Sequence, residues 1–243
     1  MLEGGHGPAA PDELVLSRDR AGGPNGLIYF GGQLVLAADG ESVLDAFGIE
    51  TRKHRGLRSI VGPKAAADGL WSRVQGWHPA PMLVRREQPV YALRRDWLRD
   101  IPDVGVRRAR DNEAELVADH SGRMILAELG YDPRANRAGF VAAVRRAIAA
   151  GSWWVWIVEG VLRFQLNVGP RTAATAQLQG VWTPPDQRGN GYASLALAAT
   201  ARRLFATEAT LSLYVNDFNA PAIALYEHVG FNRVGTFATY LFP

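Results

Sequence analysis

The sequence predicts an α/β (α+β) fold built in two parts, and three observations carry that expectation. Short β-prone runs alternate with segments whose apolar residues recur every three to four positions. Two pairs of β-prone runs flank Gly31-Gly32 and Glu159-Gly160, turn sequences that suit antiparallel hairpins. The stretch Gln177 to Ala193, QLQGVWTPPDQRGNGYA, takes an apolar strand through Pro184-Pro185 and a Gly-rich loop straight into SLALAATARRLF, which has helical spacing.

Element by element, LIYF and QLVLA form the first hairpin, between Gly26 and Gly40. Glu41 to Phe47 is a short helix. RSIVG, Arg58 to Gly62, is a short buried strand. Lys64 to Val74 is a helix with Leu70, Trp71 and Val74 on one face. Met82 to Arg85 and Pro89 to Leu93 read as two further strands. Asp96 to Asp103, rich in Asp, Arg and Pro, reads as a linker. The second part restarts with a strand at Val104 to Val106 and helices over 112–129 and 137–150, the latter with Phe140, Val144 and Ile148 at i, i+4, i+8. Trp153 to Val158 and Val161 to Val168 form the second hairpin, its tryptophans read as core packing. TAQLQGVWT follows as a strand, then the Gly loop and a helix to about Phe205. LSLYV is a strand, and Asn219 to Val229 a helix that Gly230 stops. NRVGTFATYLF closes with two strands around Gly235. The expected division is a flexible tail over 1–12, a smaller α/β domain over 13–100 and a larger domain over 101–243. RSIVG, helix, strand, strand faintly echoes LSLYV, helix, strand, strand, so the smaller domain reads as a degenerate half-copy of the larger.

Composition removes several function classes. The 243 residues are 47% hydrophobic and 21% charged, ordinary for a globular chain. The formal net charge of +3 divides as 13 basic against 12 acidic residues up to position 100 and 14 against 12 beyond it. That is no basic stripe, and no nucleic-acid partner is expected. The chain has no cysteine, so disulfides, thiolate zinc sites and a cysteine nucleophile are excluded. The five histidines, His6, His54, His78, His120 and His228, are not spaced to share a helix face, and no metal is expected. No apolar run reaches membrane-spanning length, so no membrane partner is expected and the reading is cytoplasmic.

The loop from Arg188 to Ala193 has the chemistry of an anion site. The first-turn N–H groups of a helix lack intrahelical acceptors, and the helix dipole adds positive potential there. Glycine lets an anion approach those groups, and Arg188 adds a charged fork. Two phosphate-loop readings fail. A P-loop needs Lys-Ser/Thr after its last glycine, where Tyr192-Ala193 stand. A dinucleotide turn needs a third glycine where Ser194 stands. What remains is Arg188, Gly191 and Ala193 as R-x-x-G-x-A.

With VNDFNAPAIALYEHVGF (Val215 to Phe231) and the closing FATYLF, the loop DQRGNGYA resembles the GNAT (GCN5-related N-acetyltransferase) superfamily over Val104 to Pro243. QGVWTPP, SLYVNDFN and VGTFATYLF further resemble a bacterial subgroup in which a domain of unknown function precedes the GNAT domain. The resemblance implies a mixed, mostly antiparallel central sheet and acetyl-CoA as co-substrate. It implies that strand residues Val181, Trp182 and Thr183 pair with the pantetheine arm, one N–H polarising the thioester carbonyl. Arg188, Gly189, Asn190, Gly191, Tyr192 and Ala193 would bind the pyrophosphate, and Asn219 would contact the CoA arm. Tyr226 would protonate the departing thiolate.

A plainer role stands beside several of these. Tyr226 is also at core spacing with Ile223, Asn219 is also a helix N-cap, and Trp182 serves equally as wall. One departure matters: the strand position where many members carry a carboxylate base holds Gln177 and Gln179, and an amide takes no proton. The base then comes from elsewhere, such as Glu128, or the amine arrives neutral. Two functions follow: N-acetyl transfer to a primary amine, or an acyl-CoA-binding sensor or scaffold. The acceptor and the choice between monomer and homodimer stay open.

Overall fold

The computed structural model describes residues 13–54 and 56–243; the tail expected over 1–12 lies outside them. In chain order the strands and helices are β1 Glu13–Arg18, β2 Pro24–Phe30, β3 Leu34–Ala38, α1 Glu41–Thr51, β4 Ser59–Pro63, α2 Lys64–Val74 and β5 Leu83–Arg94. There follow β6 Arg107–Arg108, α3 Ala114–Leu129, α4 Arg137–Ala149, β7 Trp153–Val158, β8 Val161–Arg171 and β9 Thr175–Trp182. The chain closes with α5 Tyr192–Leu204, β10 Thr210–Tyr214, α6 Ala220–Val229 and β11 Asn232–Leu241. This is a mixed α/β architecture with mostly antiparallel pairing. None of the described helices is long and apolar enough to cross a membrane.

The first compact unit holds the described residues up to Val90, with Tyr214–Phe218 and Gly235–Pro243. The first strands run β1-β2-β3-β4-β11. The hairpin read across Gly31-Gly32 pairs Gly26 with Ala38 and Phe30 with Leu34. β1 was not expected. Its alternation spans only six residues, and Leu14 and Leu16 remain exposed, so its apolar pattern marks an edge rather than a core. Ile28, Leu34, Phe47, Ile60, Leu70 and Tyr240 are fully buried together. The Gln88 amide is buried and donates to Asn216 Oδ1 at 3.0 Å, while its Oε1 accepts from Thr239, so the polar group is satisfied.

Two expected breaks do not occur. Leu83–Arg94 is a single strand, because the carbonyls of Glu87 and Pro89 still accept from Asp217 and Val215 although Pro89 has no donor. Asn232–Leu241 is likewise single; Gly235 stays extended and Phe237 to Leu241 pair with Pro63 to Ser59.

The second unit comprises Tyr91–Leu213 and Asn219–Val234. The division after Val90 lies ahead of residue 101, where the sequence places its second domain. The segment read as a linker is held within this unit. The Arg99 N–H donates to Val229, Ile101 is buried, and the Asp103 carboxylate accepts from both terminal nitrogens of Arg203 at 2.7 and 3.1 Å. The strand order is β10-β9-β8-β7-β6. The β7–β8 hairpin turns where expected, with Glu159 at φ 50° and Gly160 at φ 78°, the left-handed pair a two-residue turn requires. Trp153, Val155 and Leu162 pack with Val117, Ala118, Val144 and Ile148, so α3 and α4 cover that face of the strands. Trp156 points to the opposite face and meets Tyr192, the first residue of α5, ring edge to ring face at 5.3 Å between centroids.

Candidate active site

Two irregularities of β9 create the site. Its parallel pairing with β10 runs only from Thr175 to Gln177, yet β9 continues to Trp182. On its other side Asn167 faces Gln179 while Gln165 faces Trp182, so β9 spends one residue more than β8. That bulge lies at Gly180, whose φ of 58° requires glycine. The strand is thus bent just where one edge of its backbone leaves the ladder.

A cleft of about 650 Å³ opens there, within the usual range for a small-molecule site. Val181, Trp182 and Thr183 form one wall, Gly189, Gly191, Tyr192 and Ala193 the floor at the start of α5. Gly189 and Gly191 stand at φ 80° and 72°, and Gly191 caps α5 without any side-chain acceptor. The first-turn N–H groups therefore keep their donor capacity. Arg188 lines the cleft but folds back. Its Nε donates to Thr183 O at 3.1 Å and its guanidinium stacks on Trp182 at 4.8 Å. Asn190 does not line the cleft; its amide donates to Gln187 O and Arg188 O and closes the turn. The Trp182 indole N–H and the Thr183 hydroxyl are buried and have no partner among the described residues.

The opposite wall is α6. Pro221, Leu225 and His228 line it at helical spacing, and Asn219 lines its entrance while accepting from the Ala222 N–H at 3.3 Å. Asn219 is thus both cap and wall. Glu128, near the end of α3, lines the cleft too. Tyr226 stands one residue beyond Leu225 but is itself buried, its ring 6.3 Å from Tyr91 and 5.9 Å from Phe231. Burial, and then the Glu128 carboxylate, push its phenol well above the ordinary tyrosine value. Glu128 and Tyr226 are therefore electrostatic neighbours although almost a hundred residues separate them in sequence.

A model described as the acetyltransferase (GNAT) family matches residues 90–231. The chain belongs to the GNAT family. A domain of unknown function, DUF4081, matches residues 14–117 ahead of it. Solved structures share the GNAT fold. A GNAT-family acetyltransferase from Colwellia psychrerythraea is 12% identical, with TM-score 0.61 over 92% of this chain and 83% of its own. A GCN5-related N-acetyltransferase from Kribbella flavida is 16% identical, with TM-score 0.60 over 96% and 90%. A tandem GNAT protein from the clavulanic acid biosynthesis pathway is 13% identical, with TM-score 0.55 over 96% and 84%. No curated protein matches.

Within this GNAT fold, sequence reasoning missed His228, Gln187 and Ser194 as cleft residues. The signal for His228 was present, since it lies seven residues after Pro221 on the face that Leu225 shares. Gln187 and Ser194 lie beside residues already singled out, and only the turn geometry aims them inward. The first unit also runs a strand through Gly62-Pro63 into a helix, α2. There Gly62 is packed so that a Cβ would stand 2.4 Å from the Leu36 carbonyl oxygen, and Pro63 has no N–H to offer.

Proposed function

We propose that this GNAT protein transfers the acetyl group of acetyl-CoA to a primary amine by direct attack. The observation that supports it most is the cleft itself, where an unladdered strand edge at Val181 to Thr183 meets the glycine-capped start of α5. In this reading the N–H groups of the first turn of α5, with Arg188 swung out from Trp182, hold the pyrophosphate. The free backbone groups of β9 pair with the pantetheine amides, and one N–H draws charge onto the thioester oxygen as it becomes an oxyanion. Asn219 lines the path of the arm.

Tyr226 is the proposed acid for the leaving thiolate. Its raised pKa keeps the phenol protonated at neutral pH and also makes it a weaker donor, so its transfer depends on close positioning against the sulfur. β9 itself offers no base, since Gln177 and Gln179 bond to each other at 3.1 Å, and Glu128 is the carboxylate that lines the cleft beside Tyr226. That amide pair also favours a second reading, an acyl-CoA-binding module without catalysis. Calorimetry with acetyl-CoA, followed by thiol release over a panel of primary amines, tests both. Binding with turnover supports the transferase, binding without any turnover supports the module, and no binding removes both.

A further inference from the structure

The following rests on the acetyl-transfer reading and concerns the proton that the acceptor amine must lose. His120, Met124 and Glu128 stand at i, i+4 and i+8 of α3 and so share a face. A Cβ on Gly180 would lie 3.4 Å from Met124 Cε, and Glu128 lines the cleft, so this face is turned to β9. His120 sits one turn earlier and feels the charge of Asp186, in the turn that follows β9. It is half-buried, and its Nδ1 has no hydrogen-bond partner among the described residues.

The strand register supplies an independent observation. Gln165 pairs with Val155 on one side and with Trp182 on the other, and directly paired residues share a face. Val155 packs in the core that α3 closes, so Gln165 and Trp182 face α3 as well. Gln165 is completely buried, yet neither its Oε1 nor its Nε2 has a partner among the described residues, and the Trp182 Nε1 is in the same position. Buried polar groups are almost always paired, so Gln165 and the Trp182 Nε1 leave on this face hydrogen-bonding capacity that a polar group can meet.

We propose that the acceptor amine enters on the α3 side of β9, where His120 Nδ1 takes its proton and the Gln165 carbonyl oxygen positions it. His120 removes one proton from the R–NH3+ group and leaves R–NH2. The nitrogen lone pair forms the C–N bond to the thioester carbon, and the tetrahedral oxyanion collapses with cleavage of C–S, its electron pair leaving on sulfur. The second nitrogen proton is balanced by protonation of the thiolate to the free thiol, and His120 returns its proton to water. Burial holds the imidazole below its ordinary pKa, Arg123 acts the same way, and Asp119 and Asp186 oppose them. Arg134, from the turn before α4, and Arg123 both bind Asp119. The imidazole is therefore held in its neutral form at physiological pH.

The test uses the full chain, acetyl-CoA and ethylamine as probe, following thiol release from about pH 5 to about pH 9 beside calorimetry. The wild-type rate falls on the acid side as His120 protonates. His120→Gln lowers kcat about 100-fold and abolishes that limb with acetyl-CoA affinity unchanged, while Glu128→Gln keeps the limb. Gln165→Leu raises KM for ethylamine more than it lowers kcat. A His120→Gln protein with the wild-type profile, loss of the limb in Glu128→Gln instead, or no ethylamine turnover by a chain that binds acetyl-CoA overturns the proposal. Failure to bind acetyl-CoA overturns the transferase reading instead. Should His120→Gln not fold, the wild-type His120 ring resonances decide: ethylamine must shift them in the acetyl-CoA complex, and unchanged resonances overturn the assignment.

Discussion

Arg188 Nε donates to the carbonyl oxygen of Thr183 across 3.1 Å while its guanidinium covers the Trp182 ring. One side chain thus ties the start of the glycine loop to the end of β9 and holds a cation at the mouth of the cleft. Arg188→Ala is expected to weaken acetyl-CoA binding about 10- to 30-fold, the worth of one charge-assisted contact to a phosphate. Stability should change little, because the arginine is exposed on one side. Calorimetry beside thermal unfolding checks this, and Arg188→Lys should restore only part of the affinity, since an ammonium cannot stack on the indole.

Gly191 separates backbone strain from ligand repulsion. Its φ of 72° costs a side chain about 1–2 kcal/mol, although a Cβ there would meet nothing within 4 Å. Gly191→Ala should lower the melting temperature and retain acetyl-CoA binding. Gly191→Glu should lower it by a similar amount and abolish binding, because a carboxylate would stand where the pyrophosphate is expected. Equal affinities for the two variants would contradict a phosphate site at this turn.

Tyr226→Phe keeps the ring that packs on Tyr91 and Phe231 and removes the hydroxyl. An expected loss of about 100-fold in kcat, with acetyl-CoA affinity retained, marks a general acid. The sign of the pKa shift adds a further outcome. Burial and Glu128 raise the phenol, so it stays protonated through neutral and mildly alkaline pH, and no fall in rate below about pH 10 is assigned to it. The variant should therefore run parallel to the wild type across that range, and a wild-type kcat would leave Tyr226 as a core residue.

Glu113 accepts from Arg107 Nη2 at 2.6 Å and Nη1 at 2.8 Å, and from the Arg110 backbone N–H at 2.7 Å. The bond from Arg107 holds its carboxyl below the ordinary value, against the opposing effect of burial. A depressed carboxylate stabilises the fold above its unfolded pKa, and that stability is lost as pH falls through the folded pKa. Glu113→Gln should cost about 1–2 kcal/mol at neutral pH and progressively less as the solution is acidified below about pH 4.5. Urea unfolding at several pH values measures it; a cost independent of pH would remove the charge from the explanation.

The loop and α6 were legible because their signals are local. A strand that ends in Pro-Pro, Gly189 and Gly191 at left-handed φ, and Asn219 and Gly230 at the two ends of α6 each act over a few residues. Strand breaks were less legible. Pro89 and Gly235 disrupt strands on average, but here a partner uses the carbonyl of Pro89, and Gly235 stays extended. Such compensation depends on neighbours far away in the chain. β1 lay below detection because an edge strand need not bury its apolar face.

The sequence by itself determined the family, the glycine loop and the helix N-terminus that loop feeds, because a glycine turn and an unpaired first turn are properties of adjacent residues. It also named Glu128 and Tyr226, yet only as separate candidates. The tertiary structure decided that they share one electrostatic neighbourhood, that Arg188 rests on Trp182, and that Gln165 and Trp182 are paired across β8 and β9 and share a face. It also decided that the last strand closes the sheet of the first unit through Ser59–Pro63. Those relations follow from strand register and from the one-residue bulge at Gly180. Register is settled by the simultaneous packing of many side chains from distant segments, so no local stretch of the chain encodes it.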